Sequence, residues 1–249
     1  MFRRFRNYVT KSSNKIIEFL FPPTCPMCAS RVETHGELCG DCWSMFDWID
    51  DAKCIVCGYP FPGNLDVAHG AMCPICAAGK NKLRWIRSAC VYDDVSRSAM
   101  LPFKHSGRIN NAHFMSRAMI WALRDVDLSD IDIVMPVPLA TARLRHRGYN
   151  QATLLARPIA RAMGCGIDLD SVRRAHREDM GHKTARQRIE NIRGVFTVVH
   201  PELIRGRNIL LVDDVMTTGA TFVELARVLE RAGALSVSGV SFCRVAHDD

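Results

Sequence analysis

Eight of the eleven cysteines lie between Cys25 and Cys76, as four Cys-x2-Cys pairs separated by ten, eleven and fifteen residues. Two residues between cysteines let both thiolates turn onto one metal ion, and two such knuckles complete a tetrahedron. A disulfide framework would need an oxidising compartment, and nothing points to export. The apolar run 16–21 is too short for a signal-peptide core, contains Glu18 and leads into Pro22-Pro23. The expectation is two zinc ions held by Cys25, Cys28, Cys39, Cys42, Cys54, Cys57, Cys73 and Cys76. Sequential pairing closes the shorter loops at the lower entropic cost, while a cross-braced interleaving satisfies the same spacing. An all-cysteine ligand set leaves no open coordination position, so both sites are expected to be structural. A segment of roughly 60 residues with few branched aliphatics needs such metals to fold. Trp43, Phe46, Trp48, Tyr59 and Phe61 are expected to fill small cores or to form a docking surface, and the isolated Cys90, Cys165 and Cys243 to be buried as small hydrophobes.

No later segment repeats the cysteine pattern. A polar, basic break at residues 80–84 marks the expected boundary between a cysteine-rich module, 25–84, and a larger domain, 85–249, with an amphipathic segment over 1–24. Beyond the break, short apolar runs alternate with helical patterns. Residues 88–92, 131–135, 194–199, 208–212 and 235–243 read as strands. Residues 110–123, 150–163 and 219–231 read as helices, with Gly164 and Gly233 closing the last two and Pro102 and Pro158 interrupting helical patterns. This alternation predicts an α/β fold, a mostly parallel sheet with helices on both faces.

The strongest chemical signal is residues 209–221, ILLVDDVMTTGAT. A buried strand ends in two carboxylates, and a Thr/Gly-rich turn then opens a helix. Ligands of open α/β sheets bind beyond the carboxyl ends of the strands, where this turn belongs. Backbone amides at the helix start, with the hydroxyls of Thr217, Thr218 and Thr221, suit a phosphate, and Gly219 and Ala220 allow close approach. Asp213 and Asp214 would repel that phosphate, so they are expected to accept from ribose hydroxyls and to lie close to Mg²⁺.

This stretch resembles the motif that binds phosphoribosyl pyrophosphate (PRPP) in type I phosphoribosyltransferases. Further elements, in the same order, resemble the ComF family of competence-associated, phosphoribosyltransferase-like proteins. They are FPPTCPMC at 21–28, Phe103-Lys104-His105 with Gly107, PVPL at 136–139, RGYNQ at 147–151, Lys183-Thr184 with Gln187, Arg188 and Asn191, and GVF at 194–196. His105 stands where an aromatic residue is commoner in the family. The resemblance implies a type I phosphoribosyltransferase-like domain behind a zinc-binding module. It also implies a short pyrophosphate loop over 136–140, with Arg143 and Arg147 close behind, and a mobile loop over 173–193. Lys183 is the first choice there for the pyrophosphate, ahead of Arg177 and Arg186; Lys104 is placed at the same PRPP pocket.

The formal net charge of +7 is uneven: residues 1–24 and 173–193 each carry +4, while 25–84 carry −2. Concentrated positive charge suits a polyanionic ligand. If catalytic, the protein would displace pyrophosphate from ribose C1 with Mg²⁺ bound alongside PRPP, using Asp213, Asp214 and Lys183. No residue identifies the acceptor. Two other readings compete. One is a PRPP- or nucleotide-sensing scaffold that docks the competence helicase suggested by the resemblance. The other is a single-stranded DNA-binding accessory, against which the acidic cysteine module counts. No stretch reaches the length of a membrane span, and the chain is expected to be cytoplasmic.

Overall fold

Two nine-residue strands, β6 (Asn208–Met216) and β7 (Ser236–Arg244), form the centre of the larger part of the molecule. The computed structural model describes residues 22–62, 70–79, 83–105, 110–175 and 190–246. The chain divides between Met45 and Phe46 into two compact units.

In the second unit, β6 and β7 are joined by β1 (Ile86–Val91), β2 (Ile133–Pro136) and β3 (Gly166–Ile167) in the order β1-β7-β6-β2-β3, with every pairing parallel. A parallel sheet must be covered on both faces, which is why Ile209, Leu210, Leu211 and Val212 are all apolar and all fully buried. On one face, Phe222, Leu225 and Leu229 of helix α8 (Ala220–Arg231) pack with Ile209, Leu211 and Val237. Gly239 makes room there, because a Cβ would sit 3.3 Å from the Phe222 ring. The alternate residues point the other way, towards α4 (Asn111–Ala122) and α6 (Gln151–Met163), which pack on each other and on the strands. Phe114 of α4 meets Phe242 of β7 edge to face at 5.7 Å.

The remaining connections place what the site uses. Helix α3 (Asp94–His105) precedes α4, and α5 (Thr141–Arg147) precedes α6. Between β3 and β6 lie a small antiparallel pair, β4 (Val172–Arg174) with β5 (Phe196–Val198), and the short α7 (Pro201–Ile204). Pro102 and Pro158 do not end their helices: each sits inside one, α3 and α6. Burial of neighbours such as Phe103, Leu155 and Ile159 holds those helices past the amide lost at each proline. Strand β6 also outruns its expected end at Val212. Pairing with β7 continues through Asp213 opposite Ser241 to Met216 opposite Arg244, so both acids belong to the strand.

The second group of cysteines belongs to this unit and covers the outer edge of β1. Ile86 N–H donates to Val56 O at 2.7 Å, Ile49 N–H to Ala89 O at 2.9 Å and Val91 N–H to Asp47 O at 2.8 Å. These bonds satisfy an edge strand that would otherwise be open to pairing with another chain. Gly58 is required at this contact. Its φ is +66°, and a Cβ would lie 2.7 Å from Ile86 O. Helix α2 (Pro74–Ala77) carries the last knuckle. In the first unit, α1 (Gly40–Ser44) starts at Cys39, and an antiparallel bridge joins Thr24 to Arg31. Among the described residues, no helix is long and apolar enough to cross a membrane.

Candidate functional site

The carboxyl ends of β2 and β6 open into a cleft of about 180 Å³, lined by Lys104, Val137, Pro138, Leu139, Arg143, Arg147, Asn150, Gln151, Ala152, Arg174, Asp213 and Asp214. The chain leaves β2 at Pro136, and Val137 stays in register by donating its N–H to Val212 O at 2.8 Å. Asn150 then fastens the start of α6 to that turn. Its Nδ2 donates to Val137 O at 3.0 Å, while its Oδ1 accepts from Ala152 N–H at 3.1 Å as a helix cap. Tyr149 Oη donates to Phe103 O at 2.5 Å, tying the last turn of α3 to the same corner. Lys104 is thereby presented to the cleft.

Four cations and two carboxylates converge here. Lys104 Nζ lies 3.1 Å from Asp214 Oδ2. Asp214 N–H donates to Asp213 Oδ1 at 2.9 Å, so the two acids sit side by side. Burial, and then the Asp214 charge, push the Asp213 carboxyl up to about 8, although Lys104 and Arg174 pull it down. Arg174 reaches the cleft from β4, with its guanidinium 5.5 Å from the centre of the Phe196 ring. Burial and then the nearby Arg143 lower its proton affinity, while Asp213 raises it. Arg147 Nη1 donates to Gln151 Oε1 at 3.2 Å. Such a basin favours an elongated anion, with the acid pair left for hydroxyl donors or a hard cation.

Thr217, Thr218, Gly219, Ala220 and Thr221 follow directly on β6 and are half-buried, beside the cleft and not among its lining residues. Gly219 starts α8 at φ +73°, a backbone that side chains disfavour. Thr218 Oγ1 lies 3.4 Å from Ala220 N. Lys183, Arg177 and Arg186 lie outside the described residues, as does the side chain of His105. Thus Lys104, Arg143, Arg147, Asp213 and Asp214 meet around one cleft. Arg174 and Gln151 join them without having been singled out in the sequence. Gln151 stood inside RGYNQ without a role, and the only hint for Arg174 was its place in a basic stretch.

The cysteines group sequentially. The sulfurs of Cys25, Cys28, Cys39 and Cys42, and those of Cys54, Cys57, Cys73 and Cys76, each lie within 4.8 Å of one another. Four thiolates at the usual zinc distance stand about 3.8 Å apart. The 3.5 Å between Cys28 and Cys39 and the 3.6 Å between Cys57 and Cys73 match that separation. Backbone amides point at the sulfurs, Cys42 N–H at Cys39 Sγ (3.4 Å) and Cys73 N–H at Cys54 Sγ (3.3 Å), as they do around bound thiolates. The donor sets fit two structural zinc ions.

Residues 16–77 match the family described as a double zinc ribbon domain, and residues 150–249 match the phosphoribosyl transferase domain. The DNA utilization protein YhgH of Escherichia coli O157:H7 is 31% identical over 232 residues, covering 90% of this chain and 97% of that protein. The chain belongs to the ComF family. The competence protein ComFC of Bacillus subtilis, 28% identical, is matched over 84% of each chain. The competence protein F of Haemophilus influenzae is 26% identical, with 85% of this chain and 80% of that protein covered. The ComF resemblance and the phosphoribosyltransferase-type fold behind a zinc ribbon are both borne out. In this ComF-family chain, the matched phosphoribosyl transferase segment begins at Asn150, the residue that fastens α6 to the cleft.

Proposed function

We propose that the cleft and the adjoining turn bind PRPP with Mg²⁺ and support displacement of its pyrophosphate by an acceptor, in the service of DNA uptake or use. The observation that carries this reading is the convergence of Asp213 and Asp214 with Lys104, Arg143, Arg147 and Arg174 beyond the ends of β2 and β6. The turn 217–221 takes the 5′-phosphate on backbone amides and threonine hydroxyls. The two aspartates accept from the ribose 2′- and 3′-hydroxyls, and the arginines hold the pyrophosphoryl oxygens. Asp213 and Asp214 are also the hard oxygen donors that Mg²⁺ prefers, and Mg²⁺ would neutralise charge on the departing pyrophosphate. As the C1–O bond breaks, its electron pair leaves with pyrophosphate, the acceptor's lone pair forms the new bond to C1, and the carboxylates stabilise the positive ring between those events. Lys183 is assigned to the leaving group on the family resemblance alone. The link to DNA rests on the names of the relatives.

Calorimetry with PRPP and Mg²⁺ tests the pocket. Binding is expected, and Asp213→Asn with Asp214→Asn should abolish it; unchanged affinity would defeat the assignment. Pyrophosphate release measured across a panel of bases and other nucleophiles then separates transferase from sensor. Binding without release for any acceptor would make the chain a PRPP sensor.

A further inference from the structure

Gln151 is the first residue of α6, is 3% exposed and lines the cleft. Its Oε1 accepts a hydrogen bond from Arg147 Nη1 at 3.2 Å. A guanidinium only donates, so the oxygen of the amide must face Arg147 and the NH₂ must face away from it. That Nε2 is buried and has no hydrogen-bond partner among the described residues. Buried donors are seldom left unmade, because each one forgoes its bonds to water. Here the unmade donor belongs to a wall that already carries Arg143, Arg147 and Arg174. It also stands at the positive end of a 13-residue helix that Asn150 caps through Ala152 N–H.

We propose that the Gln151 amide donates to an oxygen of a bound diphosphate, the pyrophosphoryl end of PRPP, and that Arg147 acts as the positioning residue that orients it. This rests on the PRPP reading above and names a ligand-binding residue within it. The occupant must offer acceptors to this donor, and the lining's four cations against two carboxylates favour an anionic one. It is distinct from the 5′-phosphate, whose turn at 217–221 is not part of this lining. A short neutral amide adds one fixed donor to the charged ones of the three arginines and selects the oxygen that lies against the start of α6.

The test uses the full, zinc-loaded chain, with inorganic pyrophosphate plus Mg²⁺ and ribose 5-phosphate as separate calorimetric probes. Gln151→Met keeps the volume and removes the donor, and should weaken pyrophosphate binding about tenfold. Gln151→Glu replaces the donor with a charged acceptor and should weaken it further. Ribose 5-phosphate affinity should stay at the unaltered value in both. The side-chain ¹⁵NH₂ signals of Gln151 in the unaltered protein should shift on adding pyrophosphate and stay in place with ribose 5-phosphate. Undiminished pyrophosphate affinity in Gln151→Met, equal losses for both probes, or unmoved NH₂ signals at saturating pyrophosphate would each overturn the inference. If the unaltered chain binds pyrophosphate normally, those results leave the PRPP reading standing. Failure of the unaltered chain to bind either probe would overturn both.

Discussion

Lys104 Nζ stands 3.1 Å from Asp214 Oδ2, an ion pair that joins the end of α3 to the acid pair on β6, with both side chains a quarter exposed or less. The pair decides how the two carboxylates share their charge. Asp214 is compensated directly, whereas Asp213 feels burial and the Asp214 charge more strongly than the help it receives from Lys104 and Arg174. Removing the lysine by Lys104→Met is expected to raise the proton affinity of Asp213 further. The affinity for PRPP with Mg²⁺ should then fall about tenfold near neutral pH and recover in part at higher pH. Calorimetry at two pH values checks this; an equal loss at both would assign Lys104 to ligand contact alone.

The raised Asp213 carboxyl predicts opposite pH trends for binding and for stability. Hydroxyl donors and Mg²⁺ need the ionised acid, so affinity for PRPP with Mg²⁺ should climb from pH 6 through about 8 and level off above. Below that point, proton release on binding should appear as a buffer-dependent heat. Stability runs the other way. Because the folded value lies above the ordinary carboxylate value of about 4, the folded state holds the proton more tightly. This contribution is complete at low pH and is lost as pH rises through about 8. Asp213→Asn should therefore melt higher than the unaltered protein at pH 9. A lower melting temperature there would count against the raised carboxyl.

Much of this was legible in the sequence because it is periodic or locally spaced. Four Cys-x2-Cys pairs dictate two tetrahedral donor sets, and the run 209–212 could only be a buried strand. Less legible were features that depend on partners distant in the chain. Asp213 and Asp214 read as the place where the strand stops, yet β7 continues to pair with it as far as Met216. Pro102 and Pro158 left the helix boundaries near them soft because a proline removes one amide hydrogen bond, but the buried faces of α3 and α6 outweigh that loss. Gln151 could not be singled out, since its unpaired Nε2 exists only once Arg147 takes its oxygen. The seam between the second cysteine group and β1 also has no local signature, because it relies on bonds such as Arg244 Nη1 to Cys57 O, spanning 187 positions.

The same seam carries a buried charge cluster whose disruption should be costly. Arg87 Nε donates to both oxygens of Asp125 at 2.9 and 3.1 Å, Lys53 Nζ lies 3.2 Å from the same carboxylate, and both basic side chains are almost fully buried. Burial alone would raise the Asp125 carboxyl, but Arg87 and Lys53 hold it below its ordinary value. Asp125→Asn would remove the carboxylate that Arg87 pairs with and leave buried Lys53 only the more distant, exposed Asp51 at 3.7 Å. The expected loss is about 3 kcal/mol at pH 7, at the lower end for buried pairs because Asp125 is partly open to solvent. A depressed carboxyl contributes its stability above the unfolded value and loses it as pH falls through the folded one. The gap between variant and unaltered protein should therefore persist down to about pH 4 and close below it. Urea unfolding at stepped pH measures that difference, and zinc release in acid enters both proteins alike. A gap that stays constant below pH 4 would remove Asp125 as the cause.

Metal removal should separate the two cysteine groups, because they are attached to different parts of the molecule. The unaltered chain is expected to carry two zinc ions, and Cys28→Ser and Cys54→Ser one each, by mass spectrometry under native conditions. Cys28 is exposed and lies in the first unit, so its loss should leave the thermal transition of residues 46–249 within about 2 °C of its original position. Cys54 is fully buried and directly precedes three carbonyls that hold the sheet: Ile55 O accepts from Arg87 and Val56 O from Ile86 N–H, both on β1, and Cys57 O accepts from Arg244 on β7. Without its metal, a side-chain hydrogen bond between Cys54 and Cys57 drives Cys54 down to about 4 against its burial and, together with burial, drives Cys57 far up, so the two thiols cannot both ionise. A zinc ion removes that conflict and fixes the carbonyls that face the sheet. Cys54→Ser should accordingly lower the main transition by roughly 10 °C or more. It should also weaken PRPP binding, since Arg244 pairs with Met216 at the end of β6, next to the 217–221 turn. Equal stability losses in the two variants would show that the second site is no more tightly built into the sheet than the first.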